Sequence, residues 1–312
     1  MDKKILIAVD DSIHSKNALR YVAGMSAILM DLNFTLFHVQ PAISQFLLDE
    51  ARISAKANSE LKKIIQKNSL TARNMLETYK FQMIKMGIDE KRIELLTHPK
   101  MLGRTKDIIE HARQMLYDAI VVGRRGLSRA QKLVMGSVTT ELLENSKGSP
   151  VWIVDDEVKS SKIILSVDGS ESSFRAVDHL SFMVGENPDV KITLFHVIPR
   201  FTDYCEISFD KTESEIDEMD EIIIKGDKRY IDNFYAHCRR CFKKAGINED
   251  QIEIKTAKCS VNVGKVIIDE VTKGNYGTLV IGRRGVNKSF FLGSVSRYLA
   301  NKISNRALWI VS

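Results

Sequence analysis

The sequence predicts an α/β fold in two tandem copies, each a doubly wound sheet of five parallel strands. Three observations support this prediction. A chain of 312 residues is long for one core, since domains usually hold about 100 to 200 residues. Similar segments recur at a nearly constant spacing, and the apolar runs are short and rich in branched residues. We expect domain 1 at 1–155, domain 2 at 162–312 and a linker at 156–161.

The repeat covers both halves and keeps the order of their segments. The offset between matched segments is 157 to 159 positions throughout. The matched segments are Lys4–Ser12 with Lys162–Ser170, Thr35–Pro41 with Thr193–Pro199, Val121–Gly126 with Val280–Gly285, Gly136–Val138 with Gly293–Val295, and Trp152–Val154 with Trp309–Val311. Such collinear matches indicate two homologous domains.

Five strands are expected in each copy, and in the first copy they can be located directly. Continuous apolar runs of this length are typical of strands that helices cover on both faces, as in a parallel sheet. The predicted strands are Ile5–Val9, Phe34–Val39, Ile93–Thr97, Ala119–Val122 and Val151–Val154.

Helices are expected between these strands. Ala18, Val22, Met25 and Leu29 recur at helical spacing after the first strand. The segments 50–87 and 211–246 are long, helix-like and polar on one side, and each ends at a glycine that can stop a helix.

Ligands of open parallel sheets bind beyond the carboxyl ends of the strands, where the strand order reverses. The residues at those ends are therefore the site candidates. The first strand leads to Asp10 and Ser12, or Asp168 and Ser170; the second ends at His38-Val39, or His196-Val197; the fourth leads to Gly123–Gly126, or Gly282–Gly285.

The loop after the fourth strand carries the clearest motif. It runs through Gly-x-x-Gly and nine further residues to Gly136-Ser137-Val138, before a helix predicted at Thr139–Ser146. Glycines let backbone approach a ligand closely, and the N–H groups at a helix start attract phosphate oxygens. Alternatively, the glycines only form a tight turn and Ser137 only caps the helix. The repetition of the motif after a buried strand favours a phosphate site.

Both halves resemble the universal stress protein family, whose nucleotide-binding branch carries G-x2-G-x9-G-[S/T]. The first half matches with Gly123, Gly126, Gly136 and Ser137. The resemblance implies an adenine nucleotide alpha hydrolase-like fold with sheet order 3-2-1-4-5, and ATP, ADP or AMP with Mg2+ as ligand. Asp10 and Val39 would lie at the adenosine end, Gly123 and Gly126 along the ribose and phosphates, and Gly136, Ser137 and Val138 at the phosphate tail. The full binding set would be Asp10, Ser12, Val39, Gly123, Arg125, Gly126, Gly136, Ser137 and Val138, with Asp168, Ser170, Val197, Gly282, Gly285, Gly293, Ser294 and Val295 in the second half.

The second site departs from the family pattern, because only seven residues separate Gly285 from Gly293. The shorter loop either narrows the site or trims its exposed tip, and the sequence leaves both readings open.

Three functions follow from these features. The first is an ATP-binding regulator of stress responses without fast turnover. The second is a slow ATPase or a nucleotidyl-transferring enzyme, although we assign no catalytic residue and read His38 and His196 as hydrogen-bonded scaffold. The third is a binder of a non-nucleotide ligand, or a structural partner protein with a degenerate second site.

Composition and charge predict the cellular location and the classes of partner. No run approaches the roughly 20 apolar residues that span a membrane, and the charge forms no dense basic stripe, so we expect a cytoplasmic protein that binds neither membrane nor nucleic acid. The family resemblance implies that the two domains pair through their last strands, and it leaves open whether the chain also forms a homodimer. The four cysteines lie in the second half and are expected to be reduced; Cys238 and Cys241 are read as spare helix cysteines, and no metal ligand is assigned.

Overall fold

The computed structural model describes residues 2–124, 135–146, 148–198, 200, 213–259, 262–285 and 292–312, without the side chains of 213–220. The chain forms two compact units: unit 1 comprises Met1–Ala27 and Asp31–Glu157, and unit 2 comprises Ile28–Met30 and Val158–Ser312. Each unit holds five strands alternating with helices, which confirms the predicted α/β class.

Unit 1 contains a parallel sheet in the order β3-β2-β1-β4-β5. This is the order that the family resemblance implies, with the change of direction between the first and fourth strands. Its elements are β1 Lys3–Ala8, α1 Ile13–Met25, β2 Leu32–Val39, α2 Gln45–Ile53, α3 Ala55–Lys85, β3 Ile93–His98, α4 Arg104–Gln114, β4 Ala119–Gly123, α5 Ser137–Asn145 and β5 Val151–Val154.

Unit 2 repeats this topology in the order β8-β7-β6-β9-β10, again with every pair parallel. Its elements are β6 Ile163–Val167, α6 Glu171–Val184, β7 Ile192–Ile198, α7 Glu213–Lys244, β8 Ile252–Lys258, α8 Val263–Lys273, β9 Thr278–Gly282, α9 Ser294–Lys302 and β10 Ala307–Val311.

The core of each unit lies in its central strands. Ile5, Leu6 and Ile7 of β1 are all fully buried, although consecutive strand residues point to opposite faces. Both faces of the sheet are therefore covered at its centre, as the apolar runs predict. The edge strand β3 departs from this expectation, because only Ile93 in it is buried and Glu94 is exposed. Trp152 in β5 and Trp309 in β10 are also fully buried, so each unit holds one tryptophan in its core.

The segment predicted as one helix over 50–87 is two helices, α2 and α3, divided at Ser54. Ser54 has an extended backbone, and its side chain accepts a hydrogen bond from the Ala57 amide to cap the start of α3. A serine that caps one helix while ending another is a local signal that hydrophobic periodicity does not register. The predicted stop is confirmed, since α3 ends at Lys85 and Gly87 follows with a φ of 93°.

The helix predicted at Thr139–Ser146 begins two residues earlier, at Ser137. The segment 211–246 is occupied mainly by α7, and Gly246 follows that helix with a φ of 75°. Among the described residues, every helix is too short or too polar to cross a bilayer.

Candidate functional site

The carboxyl end of β1 leads into a hydrogen-bonded turn built by Asp10, Ser12 and Ser15. The Asp10 amide donates to Ser15 Oγ at 2.9 Å, and Ser15 Oγ donates to Asp10 Oδ1 at 2.7 Å. Ser12 Oγ accepts from the Ser15 amide at 3.2 Å and so caps α1. Ser12 is therefore a helix cap, while Asp10 keeps Oδ2 for another partner.

Unit 2 repeats this turn with Asp168, Ser170 and Ser173. Ser173 Oγ donates to Asp168 Oδ1 at 2.6 Å, and Ser170 Oγ accepts from the Ser173 amide at 3.2 Å. The second serine of each turn escaped the sequence reading, although D-x-S-x-x-S stands in both halves. The hydrogen bond from this second serine orients the carboxylate of Asp10 in unit 1 and of Asp168 in unit 2, the strand-end residues predicted as ligand contacts.

Gly123 and Gly282 end the fourth strand of their units where a helix start passes very close. A Cβ on Gly123 would lie 2.7 Å from the backbone of His14 in α1, and one on Gly282 would lie 2.7 Å from the backbone of Ser172 in α6. These glycines are thus required by helix–strand packing, with or without a ligand.

The base of the loop after the fourth strand is closed by one hydrogen-bond pattern in both units. In unit 1 the Arg124 amide donates to the Val154 carbonyl at 2.8 Å, and the Gly136 amide donates to the Arg124 carbonyl at 2.9 Å. Thr139 Oγ1 adds a bond to the Gly123 carbonyl at 3.1 Å. The two ends of the loop are therefore fixed against the edge of the sheet.

Unit 2 uses the same closure. The Arg283 amide donates to the Val311 carbonyl at 2.7 Å, and the Gly293 amide donates to the Arg283 carbonyl at 3.1 Å. Gly136 follows Arg124 by twelve positions, whereas Gly293 follows Arg283 by ten. The missing two residues therefore fall between equivalent anchor points, and the base of the loop is unchanged.

Arg125 and Gly126, predicted as ligand contacts in this loop, lie outside the described residues. Their neighbour Arg124 is 3.4 Å from Asp155, and both side chains are only 4% exposed. The Arg124 charge is thus directed into a buried ion pair. In unit 2 the repeat replaces Asp155 by Ser312, whose Oγ is 3.4 Å from Arg283, and burial lowers the pKa of Arg283, with Arg284 adding to the effect.

The helices that follow these loops begin without a side-chain cap. The cap positions are Gly136 for α5 and Gly293 for α9, and neither start has a side-chain capping bond. Ser137 and Ser294 occupy the first helical position and are exposed, so the alternative that Ser137 caps the helix is wrong. The first N–H groups of a helix have no partner within it, and here they lie beside exposed hydroxyl groups.

Unit 2 also brings the turn and the loop together. A Cβ on Gly285 would lie 3.0 Å from Asp168 Oδ2, and Ser170 Oγ is 3.3 Å from the Arg284 carbonyl. The free oxygen of the strand-end carboxylate therefore faces the Gly-x-x-Gly segment, as the sequence reading requires. Val39 and Val197, the predicted contacts at the second strand ends, are both buried.

The repeated histidines at the second strand ends are scaffold in both units. His38 Nδ1 is 2.7 Å from the Val9 carbonyl, and His196 Nδ1 is 2.9 Å from the Val167 carbonyl. His196 has a further partner that the sequence did not reveal, since its Nε2 lies 2.8 Å from Asp227 of α7. Burial lowers the pKa of His196, but the bonds to Asp227 and Val167 outweigh it, and the net shift is upward.

In each unit a tyrosine of the long helix reaches the end of the first strand, and no pattern in the sequence predicted either contact. Tyr79 of α3 is buried and donates to the Asp10 carbonyl at 2.8 Å. Burial raises the Tyr79 pKa, and Asp11 and Asp10 add to the shift. Tyr230 of α7 donates to the Gly169 carbonyl at 2.9 Å and covers Gly169, where a Cβ would meet its ring.

The profile of the universal stress protein family matches residues 1–155 and again residues 159–309. The chain belongs to the universal stress protein family. Because the two matches fall one in each half, it is a tandem member with two family domains.

Individual relatives are distant. A universal stress protein of Mycolicibacterium smegmatis is 25% identical over 198 residues, which is 62% of this chain and 63% of the relative. The match therefore spans less than two thirds of the relative's length. A universal stress protein structure from Archaeoglobus fulgidus covers 99% of this chain and 98% of its own, at 19% identity and a TM-score of 0.66.

Two further solved structures are similar to this chain, one along almost its whole length and one along about half of it. A putative universal stress protein from Pseudomonas aeruginosa covers 99% of this chain and 93% of its own, with 13% identity and a TM-score of 0.53. A universal stress protein in complex with cAMP covers 48% of this chain and 96% of its own, with 19% identity and a TM-score of 0.33. The likeness to the Pseudomonas aeruginosa structure shows the fold alone, and cAMP binding belongs to the last protein.

Proposed function

We propose that unit 1 binds an adenine nucleotide at the carboxyl edge of its sheet and that the chain acts as a nucleotide-responsive regulator. The uncapped start of α5 at Gly136 and Ser137, fixed at the closed base of the loop, carries this proposal. N–H groups at a helix start attract phosphate oxygens through their unpaired donors and the helix dipole.

Roles for the remaining residues follow from their positions around this helix start. The Asp10 carboxylate, oriented by Ser15, would accept hydrogen bonds from the adenosine part of the nucleotide through Oδ2. Gly126 and Arg125 would approach the phosphates from the loop. Mg2+ would be carried mainly by phosphate oxygens and water, because it dehydrates reluctantly and binds proteins through few ligands.

Unit 2 is proposed to bind nucleotide more weakly. Its loop has two fewer residues between the anchors, and Tyr230 covers Gly169 at the end of β6. Asp227 adds a second carboxylate near Asp168, since both act on His196. A shorter loop, a covered strand end and an added carboxylate all reduce the room and the charge complementarity for an anion.

Matched serine variants test this ranking. Ser137→Glu places a carboxylate at the exposed start of α5, where it suits the helix dipole and should not impair folding. A carboxylate within about 6 Å of a phosphate repels it by roughly 1 to 3 kcal/mol at intermediate dielectric, so ATP affinity should fall by a factor of about 5 to 150. Ser294→Glu is the control at the equivalent position of unit 2.

The measurement is calorimetric titration of ATP and ADP, with Mg2+, into protein stripped of bound ligand. We expect Ser137→Glu to weaken the tighter binding event and Ser294→Glu to leave it unchanged. Equal losses in both variants would contradict the ranking of the sites. Absence of binding at about millimolar nucleotide would contradict the proposed function.

A regulator and a slow ATPase differ in turnover. We expect no multiple-turnover ATP hydrolysis above background over several hours, and sustained release of phosphate would favour the enzyme instead. The cytoplasmic location and the pairing of the domains through their last strands stay predictions.

A further inference from the structure

The helices α6 and α7 bring together three side chains with the chemistry of a metal site. They are Asp178 of α6 with His237 and Cys241 of α7, and one ligand atom from each lies within 4.8 Å of the other two. His237 Nε2 and Cys241 Sγ are 3.2 Å apart. None of these residues belongs to the nucleotide site proposed above.

The spacing of the ligands suits one helix face. His237 and Cys241 are four residues apart, so both project from the same side of α7. The ring of Phe174 packs edge-on against the His237 imidazole at 4.7 Å and orients it. Asp178 is exposed, whereas His237 and Cys241 are half-buried, so the cluster is open to ions from solvent without losing its protein support.

The dimensions suit a tetrahedral ion. Zn2+ binds sulfur at about 2.3 Å and nitrogen or oxygen at about 2.0 to 2.2 Å. Tetrahedral angles then separate a sulfur from a nitrogen by about 3.6 Å and a nitrogen from an oxygen by about 3.4 Å. The distance from His237 Nε2 to Cys241 Sγ, 3.2 Å, needs to increase by only about 0.4 Å to reach this value. The distances from Asp178 to the other two ligand atoms are at most 4.8 Å, so they lie in a range that includes the required separations.

We propose that Asp178, His237 and Cys241 form a zinc-binding site that links α6 to α7. A mixed set of sulfur, imidazole and carboxylate ligands selects Zn2+ over Mg2+ and Ca2+, which prefer oxygen. The Cys241 thiol releases its proton to solvent as the zinc–sulfur bond forms. The thiolate and the carboxylate then balance the charge of the ion, and water fills the fourth position.

The C-x-x-C of the sequence, read above as two spare helix cysteines, contributes only one of its cysteines to this cluster. Cys238 and Cys241 form a C-x-x-C, but Cys238 is fully buried among core side chains, and only Cys241 belongs to the cluster. Cys238 therefore provides a matched control, being a cysteine one turn away on the same helix.

The test is a titration of full-length protein, purified without a histidine tag and freed of metal by chelation. Co2+ serves as the probe, because a cobalt–thiolate bond produces a charge-transfer band in the near ultraviolet and tetrahedral Co2+ absorbs visible light strongly. We expect one Co2+ per chain and displacement of both signals by one equivalent of Zn2+.

The variants assign the signal to its ligands. Cys241→Ala should abolish the charge-transfer band, and His237→Ala and Asp178→Asn should weaken binding at least about tenfold, a loss that even outer-shell changes cause at metal sites. Cys238→Ala should retain the band. Circular dichroism checks that each variant is folded, and His237→Gln decides the question if Cys241→Ala does not fold.

Three results would overturn the proposal. They are absence of the band in the native protein, a band that survives Cys241→Ala, and unchanged affinity in both His237 variants. A band lost in Cys238→Ala but retained in Cys241→Ala would assign the ion to a different thiol and also refute this site.

Discussion

Replacing Gly123 by alanine tests whether this glycine serves packing rather than a ligand. Its Cβ would lie 2.7 Å from the carbonyl carbon, the oxygen and the Cβ of His14, whereas ordinary contact begins at 3.4 Å. The first turn of α1 or the end of β4 would therefore have to move by about 0.7 Å. Since the neighbour is backbone, side-chain rotation relieves little of the clash.

The expected cost can be bounded. Overpacking a well-packed site usually costs about 1 to 3 kcal/mol, and the backbone contact places Gly123→Ala in the upper part of that range, at about 2 to 3 kcal/mol. The corresponding fall in Tm is roughly 4 to 12 °C for a domain of this size. Gly24→Ala in α1 is the control, because its Cβ meets nothing within 4 Å and alanine favours a helix by about 0.5 to 1 kcal/mol.

The two tryptophans make the assay specific for each unit. Trp152 lies in the core of unit 1 and Trp309 in the core of unit 2, and the chain has no third tryptophan. In a Trp309→Phe background, the fluorescence of Trp152 follows urea unfolding of unit 1. Gly123→Ala should lower the urea midpoint in this background, and Gly24→Ala should raise it slightly.

The equivalent variant in unit 2 provides a second comparison. Gly282→Ala places a Cβ 2.7 Å from the backbone of Ser172, so it should lower the midpoint reported by Trp309 in a Trp152→Phe background. The reasoning fails if the unfolding free energy of Gly123→Ala stays within about 0.5 kcal/mol of its parent, the scatter expected for a neutral substitution. It also fails if Gly24→Ala destabilises as much.

Two further predictions concern buried ion pairs. Asp155→Asn removes the carboxylate of the buried Arg124–Asp155 pair and should lower the unfolding free energy of unit 1 by about 3 to 5 kcal/mol, the usual cost of breaking a buried pair. Asp49→Asn breaks the exposed pair of Asp49 with Arg52 and should change it by less than about 1 kcal/mol. Equal effects would contradict the burial argument. The raised His196 pKa predicts stability that is fully present below the unfolded value of about 6.5 and is lost as pH rises through the higher folded value. Urea midpoints of unit 2 from about pH 6 to about pH 9 should therefore decline in the native protein and less in Asp227→Asn, and parallel curves would refute the assignment.

The sheet was predictable from the sequence because its signals are local and repeated. The apolar runs that form β1, β4 and β5 are continuous, those of β2 and β3 are interrupted by polar residues, and the repeat indicated the corresponding strands of unit 2. The carboxyl-edge candidates could be found for the same reason, since a parallel sheet brings the ends of its strands to one edge. Asp168 and Gly285, distant in sequence, do lie side by side.

The partners of these residues could not be predicted, because they come from the long helices. The direction of a side chain on a helix of about 30 residues depends on how the helix is rotated about its axis when it packs on the sheet. A helix with few apolar positions does not determine this rotation from its sequence. Tyr79 corresponds to Cys238 at the offset of 159 that fits this part of the chain, so the repeat gave no hint of Tyr230. The contact between Asp227 and His196 could not be predicted for the same reason, since the two residues lie 31 positions apart.

The two units therefore share a strand-edge framework and differ in what the helix after the second strand contributes to it. The turns at Asp10 and Asp168 and the loop closures are equivalent. By contrast, α3 supplies a buried tyrosine, whereas α7 supplies Tyr230, Asp227 and the cysteine and histidine of the proposed zinc site. The helices that cover the sheet can differ between the two units without changing the strand register that both units share. Duplicated domains can therefore acquire different ligands through these helices. A zinc ion bound between α6 and α7 would hold in place the helix that covers the end of β6, and it would therefore act on the weaker nucleotide site proposed for unit 2.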